Sequence, residues 1–236
     1  MLSFDTADNA FHSLYWRIVR DGVDFAGTKA LFNVGFEMQF PAHSAIHDGR
    51  VKRNWSVEYA EAEWQWYCSG DRNIAKLGEL YGKVPAIWKR MADKDGNVNS
   101  NYGWQWHRNH QLDLVISMLK DNPETRQAAI SIYDGKEIND YANDTPCTYA
   151  VQFTVLNGKL NMSVVMRSND LWYGFCNDQY QFSCLQMYVA YELNLLVGTY
   201  YHFAHNLPFY TDKLPKHKPR KFHICCITYT QSLNPI

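Results

Sequence analysis

Two groups of residues in this chain have the types and spacing to do chemistry. Cys147 is followed by an alternating apolar stretch and then by Arg167-Ser168. A cation beside a thiol lowers its pKa and raises the fraction of nucleophilic thiolate. An arginine next to a serine offers charge-assisted donors and a hydroxyl, the groups a phosphate accepts. Upstream, Glu63 shares a helical stripe with Tyr59, Trp66 and Tyr67. A carboxyl among rings is poorly solvated, so its pKa rises toward the range of a general acid or base. Each group also has a plainer reading. Cys147 could be a buried structural thiol, Arg167-Ser168 half of a surface ion pair, and Glu63 could reach past the ring edges to water. Asp178 stands where a helix is expected to begin, which suits a capping residue. The histidines form no H-x-x-x-H pair on an expected helix face, so no metal site is expected.

These residues must be held by regular elements. The spacing of Phe11, Leu14, Tyr15 and Ile18 predicts a helix from about Asp8 to Arg20, ended by Gly22. A strand is expected over Ala30–Phe40. A second helix, Val57–Cys68, carries Glu63 and stops before Gly70, and a third covers Gln111–Lys120 ahead of Asn122-Pro123. Between Thr148 and Met166 two alternating stretches flank Asn157-Gly158, a strong hairpin signal. A two-residue loop pairs Tyr149 with Met166, Val151 with Val164, Phe153 with Met162 and Val155 with Leu160. It also sets Cys147 opposite Ser168 and sends Arg167 to the other face, unless a bulge or the strand end turns it back. A long helix is expected from about Asp178 to Val197, capped by Gly198, and Cys225-Cys226 fall in a late apolar strand.

Composition narrows the function classes. The chain has 236 residues, 23 Lys plus Arg against 24 Asp plus Glu, and a net charge of -1. Polymeric nucleic acid needs clustered cations, which this balance does not supply. The basic stretch from Lys213 to Lys221 reads as a solvated loop. No run of about 18 apolar residues suggests a membrane span, and Met1–Ala10 does not read as a signal peptide. Six cysteines without a zinc-type pair of C-x-x-C motifs suit reduced thiols and a cytoplasmic setting. Without an internal repeat or linker, one domain over 1–236 is expected. Aromatics make up 15% of the chain, more than so ordinary a charge background explains.

Taken in order, the motifs resemble the thymidylate synthase superfamily. The resemblance rests on Thr145-Pro146-Cys147-Thr148, the hairpin, and Met166-Arg167-Ser168-Asn169-Asp170 with Gly174. Glu63 with Trp66 and Gly70-Asp71-Arg72-Asn73-Ile74, then Trp88, Tyr102-Gly103 and Asn122-Pro123-Glu124-Thr125-Arg126 extend it. Gly198, His202 and Tyr210 complete it, over roughly residues 10 to 212. Three departures bear on the reaction. Synthases have Cys-His where this chain has Cys147-Thr148, Gln where it has Met166, and Asn four residues after the glycine, where it has Asp178. Each change resembles the deoxycytidylate hydroxymethylases of large phages.

The resemblance implies an α/β (α+β) fold. A large mixed β-sheet is flanked by helices and packs sheet to sheet in a homodimer. It also implies folate-dependent hydroxymethylation at C5 of dCMP, with 5,10-methylenetetrahydrofolate as co-substrate. Cys147 would attack C6 of the base, Glu63 would do acid–base and water-ordering work, and Asp178 would read the base. Arg167 and Ser168 would hold phosphate, joined by Arg126 from the other subunit. Lys29 would replace a loop arginine whose place Phe25 takes, and Gln127 stands where a second segment arginine is usual. Tyr210 would contact the sugar without a neighbouring histidine, whose place is taken by Pro208. Tyr102 and Trp88 would line the site, with Trp88 and Asp170 on the folate side. Asn177 would take the base-reading place after a one-residue slip. The resemblance leaves CMP or dUMP hydroxymethylation and thymidylate synthesis as alternatives, and a non-catalytic nucleotide- or RNA-binding relative from another class. A phage origin, with residence in the host cytoplasm, would follow from the same likeness.

Overall fold

The computed structural model of the chain describes residues 1–141 and 144–214. A mixed sheet of seven strands forms its centre. Strand β1 (Leu2–Phe4) leads into helix α1 (Ala7–Asp21), then β2 (Val23–Phe25) and β3 (Thr28–Met38). Helices α2 (Val57–Cys68), α3 (Ile74–Tyr81), α4 (Ala86–Met91), α5 (Tyr102–His107) and α6 (Gln111–Asp121) follow. The chain then returns through β4 (Ala129–Ser131), β5 (Thr148–Leu156), β6 (Lys159–Met166), α7 (Gly174–Glu192) and β7 (Leu196–Tyr210). Strand order is β1-β3-β7-β6-β5-β4, with β2 paired to β3. The β1–β3 and β6–β7 pairs are parallel and the rest antiparallel. This is the mixed sheet flanked by helices that the sequence led us to expect.

The amphipathic elements fall close to their expected bounds. Phe11, Leu14, Tyr15 and Ile18 of α1 are buried, with Thr6 capping one end and Gly22 ending the other. Helix α2 spans the expected residues and buries Glu63, Trp66 and Tyr67. Among the described residues, no helix is long and apolar enough to cross a membrane, and no group of three or more His, Cys, Asp or Glu could hold a metal ion.

The hairpin keeps its expected register at the turn and loses it at the far end. Val151 pairs with Val164, Phe153 with Met162 and Val155 with Leu160. Asn157 and Gly158 both take positive φ, 53° and 72°, as a tight two-residue turn requires. Between Thr148 and Ala150 the register shifts, so Thr148, not Tyr149, faces Met166. Tyr149 is the extra residue of a bulge and turns outward. The expected pairing of Cys147 with Ser168 fails for the same reason, since a bulge moves everything beyond it by one residue.

The long helix also differs from its expected span. It begins at Gly174, one turn before Asp178, and ends at Glu192. Asp170 does the capping: its carboxylate accepts from the backbone N–H groups of Trp172, Tyr173 and Gly174. Asp178 therefore lies inside α7 and caps nothing. Gly198 is no helix cap either; it sits in β7, where a Cβ would come within 2.7 Å of Asn161 Oδ1. The 15-residue strand β7 itself escaped notice because its inward positions include His202, which breaks the apolar alternation. The late strand expected at Cys225-Cys226, and most of the basic stretch near it, lie outside the described residues.

Candidate active site

The bulge builds the thiol corner of the site. It brings Arg167 opposite Cys147, whose carbonyl accepts from Arg167 N at 2.8 Å. The guanidinium is then held by the backbone of the two residues before the cysteine. Nε donates to Pro146 O at 2.9 Å and Nη2 to Thr145 O at 2.7 Å, with Nη2 also 3.6 Å from Cys147 Sγ. Nη1 has no hydrogen-bond partner among the described residues, so the fork keeps donors for an anion. Burial pushes the Cys147 thiol up to about 12, and Arg167 opposes that shift only in part. The resting thiol is therefore protonated. The cation acts in the expected direction but is outweighed. Past Ser168, the chain lies along β7, with Asn169 N donating to Asn206 O and Leu171 N to Pro208 O.

A carboxyl floor is assembled from α2 and α7. Tyr59, one turn before Glu63, donates its hydroxyl to Glu63 Oε1 at 2.6 Å and accepts from Trp88 Nε1 at 2.8 Å. Gln181 Nε2 donates to Glu63 Oε2 and to Ala60 O, both at 3.0 Å. Glu63 is 4% exposed, and burial raises its pKa to about 7 against the lowering effect of those two donors. Asp178 is held well above the ordinary carboxylate range, first by burial and then by the charges of Glu63 and Asp170. Its Oδ2 accepts from Asn169 Nδ2 at 2.6 Å. Two carboxyls driven toward neutrality, beside a thiol, make a site able to hold and pass protons.

Comparison with known proteins gives the family. The family model described as thymidylate synthase matches residues 9–220. The chain belongs to the thymidylate synthase family. Among curated relatives, the deoxycytidylate 5-hydroxymethyltransferases of Enterobacteria phages T4, T2 and T6 are each 36% identical over 164 residues. That match spans 66% of this chain and 63% of each phage enzyme, less than two thirds of their length. Among solved structures, a thermostable thymidylate synthase A from Bacillus subtilis superposes with a TM-score of 0.71. It covers 87% of this chain and 80% of its own at 21% identity, a likeness of fold.

Within the family fold the other expected site residues divide. Tyr102 is buried against Phe182 and Tyr67. Trp88 is bound to Tyr59, while Tyr210 stays 44% exposed with its ring 5.9 Å from Tyr173. Lys29 pairs across β3 and β7 with Phe209, next to Tyr210. Asn177 does not join the floor: its Oδ1 accepts from Trp55 Nε1 and its Nδ2 donates to Tyr173 O. Arg126 is not brought to Cys147 within one chain. The β4–β5 register, extended by Phe153 N donating to Ala128 O, puts Arg126 beside the Val155 end of β5. At about 3.3 Å per residue that is roughly 26 Å from Cys147.

Three residues of the site were not singled out from sequence. Tyr59 was on the aromatic stripe, and its one-turn spacing from Glu63 was the available signal for a hydrogen bond. Gln181 is 118 residues from Glu63 and carried no local signal. Asn169 was part of the Met166–Asp170 motif with no role assigned to it.

Proposed function

We propose that the protein is a one-carbon transferase that hydroxymethylates dCMP at C5, using 5,10-methylenetetrahydrofolate as co-substrate. The observation that carries this reading is Asp178, a carboxyl where synthases of the family have an amide, standing inside the site with Glu63. Cytosine offers an amino donor and the N3 acceptor. A neutral carboxyl matches both: one oxygen accepts from the amino group while the O–H donates to N3. Burial and neighbouring charge favour that neutral form. Uracil presents the opposite pattern, O4 and N3–H.

The folate supplies a carbon at the oxidation level of formaldehyde and leaves as tetrahydrofolate. The residues present suit it: Asp170 uses three acceptor positions on backbone N–H groups and keeps one, beside the exposed rings of Tyr173 and Tyr210. Arg167 and Ser168 bind the nucleotide phosphate. Arg126 joins them from the second subunit of a homodimer, a reading supported by its distance from Cys147 within one chain. Lys29 adds charge, Tyr210 meets the sugar, and Tyr102 and Trp88 wall off water. Phosphate binding places a dianion beside Arg167, so the thiol needs a base, and the ionised fraction of Glu63 takes its proton as Sγ attacks.

Cys147 Sγ bonds to C6 as its proton leaves, and the C5–C6 π pair moves to C5. C5 bonds to the transferred carbon and loses its own proton; that proton and the one Glu63 took from the thiol go to the two folate nitrogens that release the carbon, and the proton Glu63 later takes from water returns to Sγ. Departure of tetrahydrofolate leaves an exocyclic methylene on the base. Glu63 orders a water and takes its proton as the oxygen bonds to that methylene. The displaced electron pair then expels Sγ from C6 and restores the ring double bond. In sum, dCMP, methylenetetrahydrofolate and water give 5-hydroxymethyl-dCMP and tetrahydrofolate. No hydride moves. With its pKa near 7, Glu63 can both take and return a proton at neutral pH.

The test incubates the protein with methylenetetrahydrofolate and dCMP, CMP or dUMP in turn, and weighs the products. A gain of one CH₂O unit on dCMP is expected. A CH₂ gain on dUMP with dihydrofolate formed overturns the reading in favour of thymidylate synthesis. CMP is included because Pro208, in β7, has no group to bind a sugar hydroxyl.

A further inference from the structure

Asn169 is 1% exposed, yet only half of its amide is satisfied. Nδ2 donates to Asp178 Oδ2 at 2.6 Å, while Oδ1 is buried without a partner among the described residues. Turning the amide over would orphan both N–H donors, which costs more than one orphaned carbonyl oxygen. So the N–H side faces Asp178. Space has been cleared for this contact. A Cβ on Gly174 would lie 2.9 Å from Asn169 Nδ2 and 3.3 Å from Asp178 Oδ2. The backbone of Asn169 is fixed as well, its N–H donating to Asn206 O on β7. An incompletely satisfied buried amide, a helix position kept free of a side chain and a short bond all converge on one carboxyl oxygen.

We infer that Asn169 is a specificity-determining positioning residue: its amide N–H bars a proton from Asp178 Oδ2 and so commits any carboxyl proton to Oδ1. The inference rests on the reading of Asp178 as the base-recognising group. With the proton on Oδ1, Oδ2 has a lone pair for Asn169 and one for the cytosine amino group, and Oδ1–H meets N3. Uracil needs the reverse, a proton on the oxygen that faces O4 and a bare oxygen facing N3–H. A free carboxyl interconverts these forms at no cost and would bind either base. Tied to Asn169, it offers only the cytosine pattern. Discrimination then belongs to the pair of residues and not to Asp178 alone.

The experiment measures equilibrium binding of dCMP and of dUMP, without folate, to the wild type, Asn169→Ala and Gly174→Ala. Binding needs no turnover, and thermal melts check folding. In Asn169→Ala the dCMP-over-dUMP preference is expected to fall about tenfold, mainly through tighter dUMP binding. Gly174→Ala, which suits a helix and leaves both partners in place, should shift the ratio in the same direction by pushing the amide away. If the variants weaken both nucleotides by one common factor, Asn169 only supports the fold and the inference is overturned. If Asn169→Ala does not fold, the Gly174→Ala ratio decides alone. A wild type that prefers dUMP sinks the substrate reading itself, a different result from variants that keep a dCMP preference.

Discussion

The thiol corner and the carboxyl floor are built by opposite means. At the corner, one bulge in a local hairpin carries Arg167 to Cys147, and backbone carbonyls hold the guanidinium. At the floor, side chains hold side chains: Trp88 orients Tyr59, Tyr59 and Gln181 hold Glu63, and Asn169 holds Asp178. The corner keeps a cation beside its reactive group, and the thiol stays protonated all the same. The floor keeps two acids together with no cation bonded to either among the described residues, and both are driven toward neutrality. Burial is the largest cause in both places; local charge opposes it at the corner and adds to it at Asp178. On the proposed reaction, the difference lies in what substrate binding changes: the corner would receive a phosphate and a base to attack, whereas the floor would take and return the protons that the chemistry moves.

The sharpest way to break this contrast is at the sulfur. Cys147→Ala should reduce tritium release from C5 of dCMP by at least about a thousandfold, because no covalent adduct can form. Exchange at the wild-type rate would mean that the floor alone activates C5.

Next comes the floor. Glu63→Gln keeps the shape of the side chain and one acceptor for its two donors, Tyr59 and Gln181, but cannot shuttle a proton, and should lower turnover by roughly 10²–10⁴-fold. It also has a signature in stability. Glu63 has its folded pKa raised from 4.5 to about 7. Below 4.5 it is neutral in both states, and between these values it ionises in the unfolded chain first. Stability is therefore lost as pH rises through this window, by up to about 3 kcal/mol. Urea titrations at pH 4.5 and 7.5 should show that loss in the wild type and a smaller one in Glu63→Gln, with Asp178 contributing the remainder. An equal loss in both proteins would remove Glu63 as its source.

The two regions also differed in how much of them the sequence could reveal. Alternation and Asn157-Gly158 make the hairpin readable residue by residue, because strand period and turn conformation are local properties. The bulge at Tyr149 is not local, since it depends on how β5 meets β6 beyond the last apolar pair. Glu63 stood out as a carboxyl on an aromatic stripe. Its partner Gln181 did not, because α7 is buried around its circumference and carries no polar face to mark an exception. The start of α7 was misread for a related reason. Asp170 and Asp178 are both short acids near a helix start, and only the fold shows which one meets free N–H groups. Resemblance to the family supplied the order of the motifs, but not the direct bond between Asn169 and Asp178.

Asp178→Asn carries the comparison into recognition. The amide should move preference from dCMP toward dUMP, about tenfold or more in kcat/KM ratio, since an amide can donate to O4 and accept from N3–H. An unchanged ratio would take Asp178 out of base reading and leave it as a proton store beside Glu63.

The smallest effect is expected where the sequence was most legible. Gly158 has a φ of 72°, and a Cβ there would meet nothing within 4 Å. Gly158→Ala therefore suffers backbone strain but no clash, and should cost about 1 kcal/mol of stability. The turn lies at the far end of β5 and β6 from Cys147, and α7 covers the hairpin in between, with Gln186 Nε2 donating to Leu160 O at 2.9 Å. Turnover per folded molecule should therefore hold while the melting temperature falls. A matching loss of turnover would mean that strain at the turn travels along the hairpin to the bulge. The corner would then depend on the whole length of β5 and β6, much as the floor depends on contacts between distant helices.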